Sequence, residues 1–241
     1  MKHALLLVVL MAALAPVGNP EQKASAQAAV KGDSALENVL YAMDRAAASF
    51  HSAETDFAWD QFESVVQEHS LQSGTMYIRG SGNKLEMAAE ITRPPEEQKY
   101  VLFTDGKVQL YQPKMDQVTV YNAGKNREAF QSFLVLGFGG GGHDLYKQFD
   151  VRYLGSENVQ GVHAAKLELT PKSQRVRGMF NPILLWIDPA RGISVQQQFI
   201  EPGSGNYRLA KYSNIKINQK IPDSAFKLKT TGKTKYVTPS A

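Results

Sequence analysis

One stretch near the middle of the chain encodes three strands and the turns between them: residues 99–121 read KYVLFTDGKVQLYQPKMDQVTVY. Its predicted strand segments are 99–104, 107–111 and 117–121. Asp105-Gly106 is a strong signal for a tight hairpin turn, and Pro113 marks a second turn. The stretch therefore predicts an antiparallel β-meander.

The same rhythm of strands and turns continues on both sides of this stretch. Upstream, apolar residues alternate with polar ones around Phe57, Ile78 and Met87, which is typical of strands with one buried face. Downstream, further strands are predicted at 149–154, 163–170, 183–188, 193–200, 208–217 and 226–229. A sheet with this many strands must close, curl or be covered to protect its edges.

Two segments have the periodicity of helices. Residues 34–50 carry an apolar face at helical spacing, which predicts an amphipathic helix. Residues 126–138 predict a second helix, with a further helical turn expected within 143–148. The glycine run 139–142 between these two is interpreted as a hinge, because glycine turns freely. The predicted fold class is mainly β with helices (α+β), with helices covering one open face of the sheet.

The N-terminus has the features of a secretory signal peptide. An apolar run extends from Ala4 to Ala15, and Ala24-Ser25-Ala26 provides a small-x-small cleavage pattern. The run is shorter than the ~20 apolar residues that span a bilayer, so an uncleaved membrane anchor is the less favoured alternative. We expect residues 1–26 to be removed and residues 27–241 to form one domain.

The sequence contains no cysteine. This excludes disulfides, thiolate metal sites and lipid attachment at a cysteine after signal cleavage. Disulfides are common in proteins exported from eukaryotic cells, so a cysteine-free exported chain favours a bacterial periplasm. We therefore expect a periplasmic protein that has no stable membrane anchor.

Charge and motifs argue against nucleic-acid binding and catalysis. The formal net charge is only +4, and the one basic run, over residues 227–235, is interpreted as a solvated tail. None of the five histidines forms an HxxxH or HExxH pair, and the chain has no G-x-S-x-G motif. The sequence predicts no nucleic-acid partner, no metal, no cofactor and no catalytic residue.

The apolar side chains of the strands leave two interpretations open. They form an ordinary filled core, or they line a lipid cavity in a sheet too curved for its own side chains to fill. The candidate lining residues are Phe57, Trp59, Met76, Ile78, Leu85, Met87, Tyr100, Leu102, Leu110, Leu167, Leu169 and Trp186. Periodicity alone does not separate a filled core from a cavity.

An ordered set of short motifs resembles the outer-membrane lipoprotein carrier (LolA-like) family. The matching pieces are Ser49-Phe50-His51-Ser52-Ala53, Gly74-Thr75-Met76-Tyr77-Ile78, Pro95, Thr104-Asp105-Gly106-Lys107, Leu110-Tyr111, Pro113, Asp116-Gln117-Val118-Thr119, Leu167-Glu168-Leu169-Thr170-Pro171, and Asn214 with Ile215 to Phe226. Each piece is common by itself, and their order is what makes the set moderately specific. The resemblance covers nearly the whole mature chain.

The resemblance implies a strongly curved antiparallel sheet that forms an unclosed β-barrel under a helical lid. It also implies a carrier that receives acylated lipoproteins from an inner-membrane ABC-type releasing complex and delivers them to an outer-membrane acceptor. We expect the carrier to be a monomer. The lid would be residues 126–148 together with the N-terminal helix, with lid residues Phe130, Phe133 and Leu134.

Arg79 is the candidate lid latch. The family's arginine stands at the end of the second strand and is followed by proline, whereas here Arg79 is followed by glycine and lies one residue early. In a strand, a shift of one residue turns a side chain to the other face. Two other functions also stay open: a lipid-sensing or envelope-stress regulatory module with the same fold that does not transport, and a secreted hydrolase built from distant residues.

Overall fold

In the described part of the chain, twelve strands form one curved sheet, and a long N-terminal helix lies on one of its faces. The computed structural model describes residues 20–80, 84–122 and 136–239, and their side chains from residue 33 onward. The strands are β1 (Ser52–Glu63), β2 (Glu68–Arg79), β3 (Glu86–Arg93), β4 (Lys99–Thr104), β5 (Lys107–Gln112), β6 (Gln117–Asn122), β7 (Phe149–Val159), β8 (Val162–Pro171), β9 (Ile183–Asp188), β10 (Ile193–Ile200), β11 (Tyr207–Ile217) and β12 (Lys235–Val237). The α-helices are α1 (Pro20–Ala48) and α2 (Gln174–Met179), and short 3-10 helices cover Pro95–Glu97, Pro113–Met115, His143–Lys147 and Asp223–Phe226.

The strand order across the sheet is β12-β6-β5-β4-β3-β2-β1-β11-β10-β9-β8-β7. Neighbouring strands are antiparallel except β12 and β6, which are parallel. β12 and β7 lie at opposite edges of this order and do not pair with each other. The sheet is therefore an unclosed barrel, which confirms the fold class expected from the sequence.

The meander predicted from residues 99–121 is confirmed. β4, β5 and β6 pair in sequence, with Thr104 opposite Lys107 across the first turn. Both turn residues have left-handed backbone, at φ 51° for Asp105 and 72° for Gly106. This is the geometry that a two-residue hairpin needs to match the twist of its strands.

The C-terminal region differs from the expectation of a strand at 226–229 and a solvated tail. Residues 223–226 are a 3-10 helix, and the basic stretch beyond them ends in β12 on the edge of β6. The Thr231 hydroxyl donates to a carboxylate oxygen of Asp116 at 2.6 Å, and Thr234 binds the same carboxylate. The lysine-rich end is thus an anchored edge strand, because short polar side chains fix it to the β5–β6 turn.

Helix α1 is confirmed, and it begins earlier than expected, at Pro20. Its apolar face carries Val39, Leu40 and Met43, each at most 5% exposed, and packs on inward-facing residues of β8 and β9 such as Leu167 and Leu185. The helix covers one face of the β7–β9 end of the sheet. We call this face of the whole sheet the inner face. No helix in the described part of the chain is long and apolar enough to cross a membrane.

Residues 136–148, named here the covering segment, lie on the inner face beside α1 and share its core cluster through Leu136 and Leu145. The Ser194 amide donates to the carbonyl oxygen of Gly137 at 2.8 Å, and Phe138 is 1% exposed. Residues 136–139 are a turn rather than the end of a helix, whereas the helical turn expected within 143–148 is present. The remainder of the expected helix, residues 126–135, lies outside the described residues.

The glycine run has a packing role that differs from the expected hinge. A Cβ added at Gly142 would lie 2.3 Å from the backbone oxygen of Leu40, and one at Gly139 would lie 2.5 Å from the ring of Phe50. Gly142 is a glycine because the covering segment meets the backbone of α1 there, and Gly139 combines contact with the Phe50 ring with a left-handed backbone at φ 77°. The run therefore holds the segment against the helix.

The opposite, outer face of the sheet is also apolar over large areas. One outer cluster contains Trp186, Val195 and Leu184, and another places Phe226 and Ile221 over Leu102. β9 is consequently buried at every position. Strands covered on both faces lose the simple alternation of apolar and polar residues.

Gly142→Ala tests the contact between the covering segment and α1. Gly142 has right-handed helical backbone, φ −63° and ψ −49°, so alanine adds only its methyl group. Because that methyl group meets backbone that cannot move aside, we expect a loss of about 1–3 kcal/mol in the free energy of unfolding. Urea denaturation measures it.

Gly232→Ala is the matched control, since nothing lies within 4 Å of a Cβ at Gly232. We expect that variant to stay within about 0.5 kcal/mol of the parent protein. Equal stability of the two variants would contradict the close packing described for Gly142.

Candidate functional site

A cavity of about 630 Å³ opens on the inner face. Strands β1 to β4, β10 and β11 form its floor and sides, and residues from the end of α2 and the covering segment complete the wall. Its lining residues are Trp59, Asp60, Gln61, Ser70, Gln72, Met76, Met87, Ala89, Lys99, Phe138, Met179, Phe180, Gln197, Phe199, Arg208, Leu209, Ala210 and Tyr212. The volume lies within the roughly 300–1,000 Å³ that is usual for small-molecule sites.

One end of the cavity is apolar. Met76 lies opposite Ala89 in the β2–β3 pairing, and Met87 lies two residues further along the same face. Phe138 of the covering segment closes this region and meets the ring of Tyr212 edge-on, with ring centroids 4.9 Å apart. Two methionines beside an aromatic ring form a surface that adapts to chains of varied shape.

A buried polar pair holds the covering segment at the cavity floor. The Tyr212 hydroxyl donates to Oε1 of Gln197 at 3.1 Å, and Nε2 of Gln197 donates to the carbonyl oxygen of Leu136. Burial raises the pKa of Tyr212 far above its ordinary value, so the hydroxyl keeps its proton and donates. These bonds satisfy polar groups that would otherwise be buried without partners.

The other end of the cavity is polar. Arg208, Gln61 and Ser70 form one row across β11, β1 and β2, at the end of the sheet near the β1–β2 hairpin. The Arg208 guanidinium lies 3.5 Å from Glu201 and 5.6 Å from the centroid of the Phe180 ring. The cavity therefore changes from polar to apolar along the strand direction.

The wall near α2 is aromatic and partly exposed. The rings of Phe180 and Phe199 meet edge-on with centroids 5.3 Å apart. Met179 at the end of α2 is 47% exposed. An exposed methionine at the mouth leaves an apolar entrance from solvent to the cavity.

The structure brings together part of the expected lining. Trp59, Met76 and Met87 line the cavity. Six other expected residues lie on the inner face but outside the cavity lining. Phe57, Ile78 and Leu85 are in the core cluster beside the cavity, and Leu167 and Leu169 pack under α1. Leu110 on β5 lies opposite Val101 of β4. Among the described residues, the inner face is therefore filled beneath α1 and forms a cavity near β1 to β4, β10 and β11.

Tyr100, Leu102 and Trp186 are corrections, because all three lie on the outer face. Tyr100 stacks on Tyr111, Leu102 packs in the cluster of Phe226, and Trp186 packs in the β8–β10 outer cluster. The sequence could not assign their face, since both faces of this sheet are apolar at these strands.

Several lining residues were not foreseen from the sequence. Met179, Phe180 and Gln197 reach the cavity from α2, the loop after it and β10. Lys99 and Arg208 are charged and were not considered as lining. An alternation count that includes polar residues would have placed Lys99, Val101 and Phe103 on the same face of β4.

Arg79 lies on the outer face. Its Nε donates to Glu86 at 2.6 Å, its Nη1 binds Asp223, and its guanidinium lies 4.1 Å from the centroid of the Phe226 ring. Arg79 thus fixes the C-terminal 3-10 helix to β2. Its expected action as a lid latch stays a prediction, because Phe130, Phe133 and Leu134 lie outside the described residues.

A charged cluster joins the covering segment to α1. His143 donates its backbone N–H to Asp44 at 3.1 Å, and its ring contacts Asp44 through Nδ1 and Glu37 through Nε2, the latter at 3.0 Å. Hydrogen bonds to Asp44 and then Glu37 raise the pKa of His143. Burial by itself would raise the pKa of the Asp44 carboxyl, but the hydrogen bonds from His143 outweigh it, so the pKa of Asp44 is lowered. Among the described residues, no group of three or more His, Cys, Asp and Glu side chains is arranged to hold a metal ion.

No protein-family model matches the chain, and no curated protein matches its sequence. Solved structures do match. MucB from Pseudomonas aeruginosa, solved with MucA, is 14% identical at a TM-score of 0.50, and the match covers 80% of this chain and 60% of that one. An uncharacterised conserved protein from Thermus thermophilus is 12% identical at a TM-score of 0.55, covering 84% and 98% of the two chains. The chain shares its fold with these two proteins.

A LolA superfamily protein from Nitrosomonas europaea also matches. It is 15% identical at a TM-score of 0.40, and the match covers 80% of this chain and 97% of that one. The architecture seen here, a curved unclosed sheet with a helix, is the one that the sequence resemblance to the LolA-like family implies.

His143→Gln tests the charged cluster through its pH dependence. Because the folded pKa of His143 is raised, protonation contributes stability that is fully present below the unfolded value of about 6.5 and is lost as pH rises through the folded value. We expect the parent protein to exceed the variant in unfolding free energy by more at pH 5.5 than at pH 9.

Urea denaturation of both proteins at the two pH values measures the difference. His163→Gln is the control, since His163 is exposed on β8. If the difference in unfolding free energy between the parent and His143→Gln is the same at both pH values, the charge on His143 does not stabilise the fold.

Proposed function

We propose that this protein is a periplasmic carrier that binds the acyl chains of lipoproteins in the inner-face cavity. The observation that carries the proposal is the cavity itself: about 630 Å³ lined on one end by Met76, Met87 and Phe138, with no catalytic arrangement around it in the described residues. The shared fold and the family resemblance support the same conclusion.

The energetics suit an acyl ligand. Each CH₂ group removed from water contributes ~0.8 kcal/mol, so a chain that fills the apolar end is held without any charged contact. The two methionines and Phe138 supply a surface that conforms to the chain. Release needs a change in the wall, because the same burial opposes departure.

The unclosed sheet provides a route for that change. The cavity wall includes Met179 and Phe180, which belong to a short helix and loop rather than to the sheet. Movement of this wall would widen the mouth without breaking strand pairing. We propose that α1 and residues 126–148 form the rest of the lid, as the family resemblance implies.

The carrier would act between two membranes. The expected cleavage after residue 26 and the lack of cysteine in the chain leave no lipid attachment at a cysteine. By its resemblance, the protein would receive lipoproteins from an inner-membrane ABC-type complex and pass them to an outer-membrane acceptor. We expect a monomer to be sufficient for this task, because the inner-face cavity is formed by residues of a single chain.

A regulatory module is the second candidate. It is favoured by the shared fold with MucB, a protein that has been solved in complex with MucA. In this alternative the cavity senses a lipid and alters contact with a partner protein. Such a module would bind acylated ligands but would not release lipoproteins from inner membranes.

Met87→Glu tests the carrier proposal. A carboxylate in the apolar end of the cavity would oppose acyl burial, so we expect binding of an acylated lipoprotein to weaken about tenfold or more. The measurement is release of a radiolabelled lipoprotein from inner-membrane vesicles into the supernatant by the purified protein.

Met115→Glu is the matched control, because Met115 is 54% exposed in the β5–β6 turn and is not among the residues that line the cavity. It should release lipoprotein as well as the parent does. Binding without release by the parent protein would favour the regulatory alternative. Equal activity of Met87→Glu and the parent would contradict the cavity as the acyl site.

A further inference from the structure

We propose that Lys99 is the counter-charge for an anionic head group, so that the cavity takes an amphiphile with a negatively charged head and an acyl tail. This inference rests on the proposed function, because it assumes that the apolar end holds an acyl chain. It adds the head-group chemistry, which neither the fold nor the resemblance specifies.

The placement of Lys99 is the first support. It lies on β4 opposite Ile91, an inner-face residue that is fully buried, and it lines the cavity. Its side chain is half-buried, and no carboxylate of the described residues lies within ion-pair distance of it. A cationic side chain in the cavity wall that has no carboxylate partner among the described residues favours the arrival of an anion.

The other charges of the cavity are already shared. Arg208 is 56% exposed at the mouth and is paired with Glu201 at 3.5 Å. Asp60 also borders the cavity, and its carboxylate is held by His69 at 2.8 Å. Lys99 is therefore the cavity cation whose charge is least compensated, and Arg208 is a weaker second contributor at the entrance.

The polarity gradient supplies the direction of binding. Rows on one face of a sheet lie about 7 Å apart. Arg208 is in the outermost row of the cavity lining, Lys99 is in the row of Ile91 and Gly74, and Met87 is two rows further in. A head group at Lys99 thus leaves the tail pointing along the strands toward Met87.

Isothermal titration calorimetry of the full mature protein tests the inference with four probes, the two ionic amphiphiles held below their critical micelle concentrations and dodecanol below its solubility limit. Laurate and dodecyl phosphate carry anionic heads, dodecanol carries the same tail without charge, and inorganic phosphate carries the charge without a tail. We expect both anionic amphiphiles to bind at least tenfold more tightly than dodecanol, and inorganic phosphate not to bind measurably.

Lys99→Gln should weaken laurate and dodecyl phosphate about tenfold while leaving dodecanol unchanged, as expected for the loss of one charge-assisted hydrogen bond. Lys99→Arg should retain most of the affinity, and Arg208→Gln should have a smaller effect than Lys99→Gln. Lys114→Gln, on the exposed β5–β6 turn, is the matched control and should bind like the parent.

The outcomes separate the two proposals. Equal binding of laurate and dodecanol, with no effect of Lys99→Gln on either, would overturn the head-group inference and leave the acyl site intact. Failure of every amphiphile to bind would overturn the proposed function and the inference together. Tight binding of inorganic phosphate alone would also overturn the inference, because it would show a site for a simple anion and not for an amphiphile.

Discussion

Backbone contact between the covering segment and α1 is the constraint on which the inner face depends. An open sheet of twelve strands exposes one apolar face unless something lies across it. Here Gly142 meets Leu40 at a distance that admits no side chain, so segment and helix pack as one layer. That layer buries the β7–β9 end of the sheet and sets the position of Phe138.

The cavity follows from where this layer stops. Under α1 the inner face is filled by Leu167, Leu169 and their neighbours. Beyond Phe138, the sheet is no longer covered by the helix, and its curvature leaves space that α2 and the following loop only partly close. The filled core and the ligand cavity are thus two regions of the same face. The inner face is filled where α1 and the covering segment pack on it, and it is open where they do not.

Much of the fold could be predicted from the sequence, because it is encoded locally. The Asp105-Gly106 turn and the alternation around Ile78 predict strands without knowledge of the rest of the chain. The face of Tyr100, Leu102 and Trp186 could not be predicted, since the outer face is covered by Phe226 and by distant strands. The same limit hid β12, whose anchor is a pair of threonines on Asp116 from a remote turn.

We propose that an acyl chain binds on the inner face between Met87 and Phe138. Photo-crosslinking with a diazirine-bearing fatty acid, followed by mass spectrometry of the labelled peptides, measures where the chain binds. We expect adducts on the peptides that contain Met76, Met87 and Phe138. Adducts confined to the outer face around Ile221 and Phe226 would contradict this proposal.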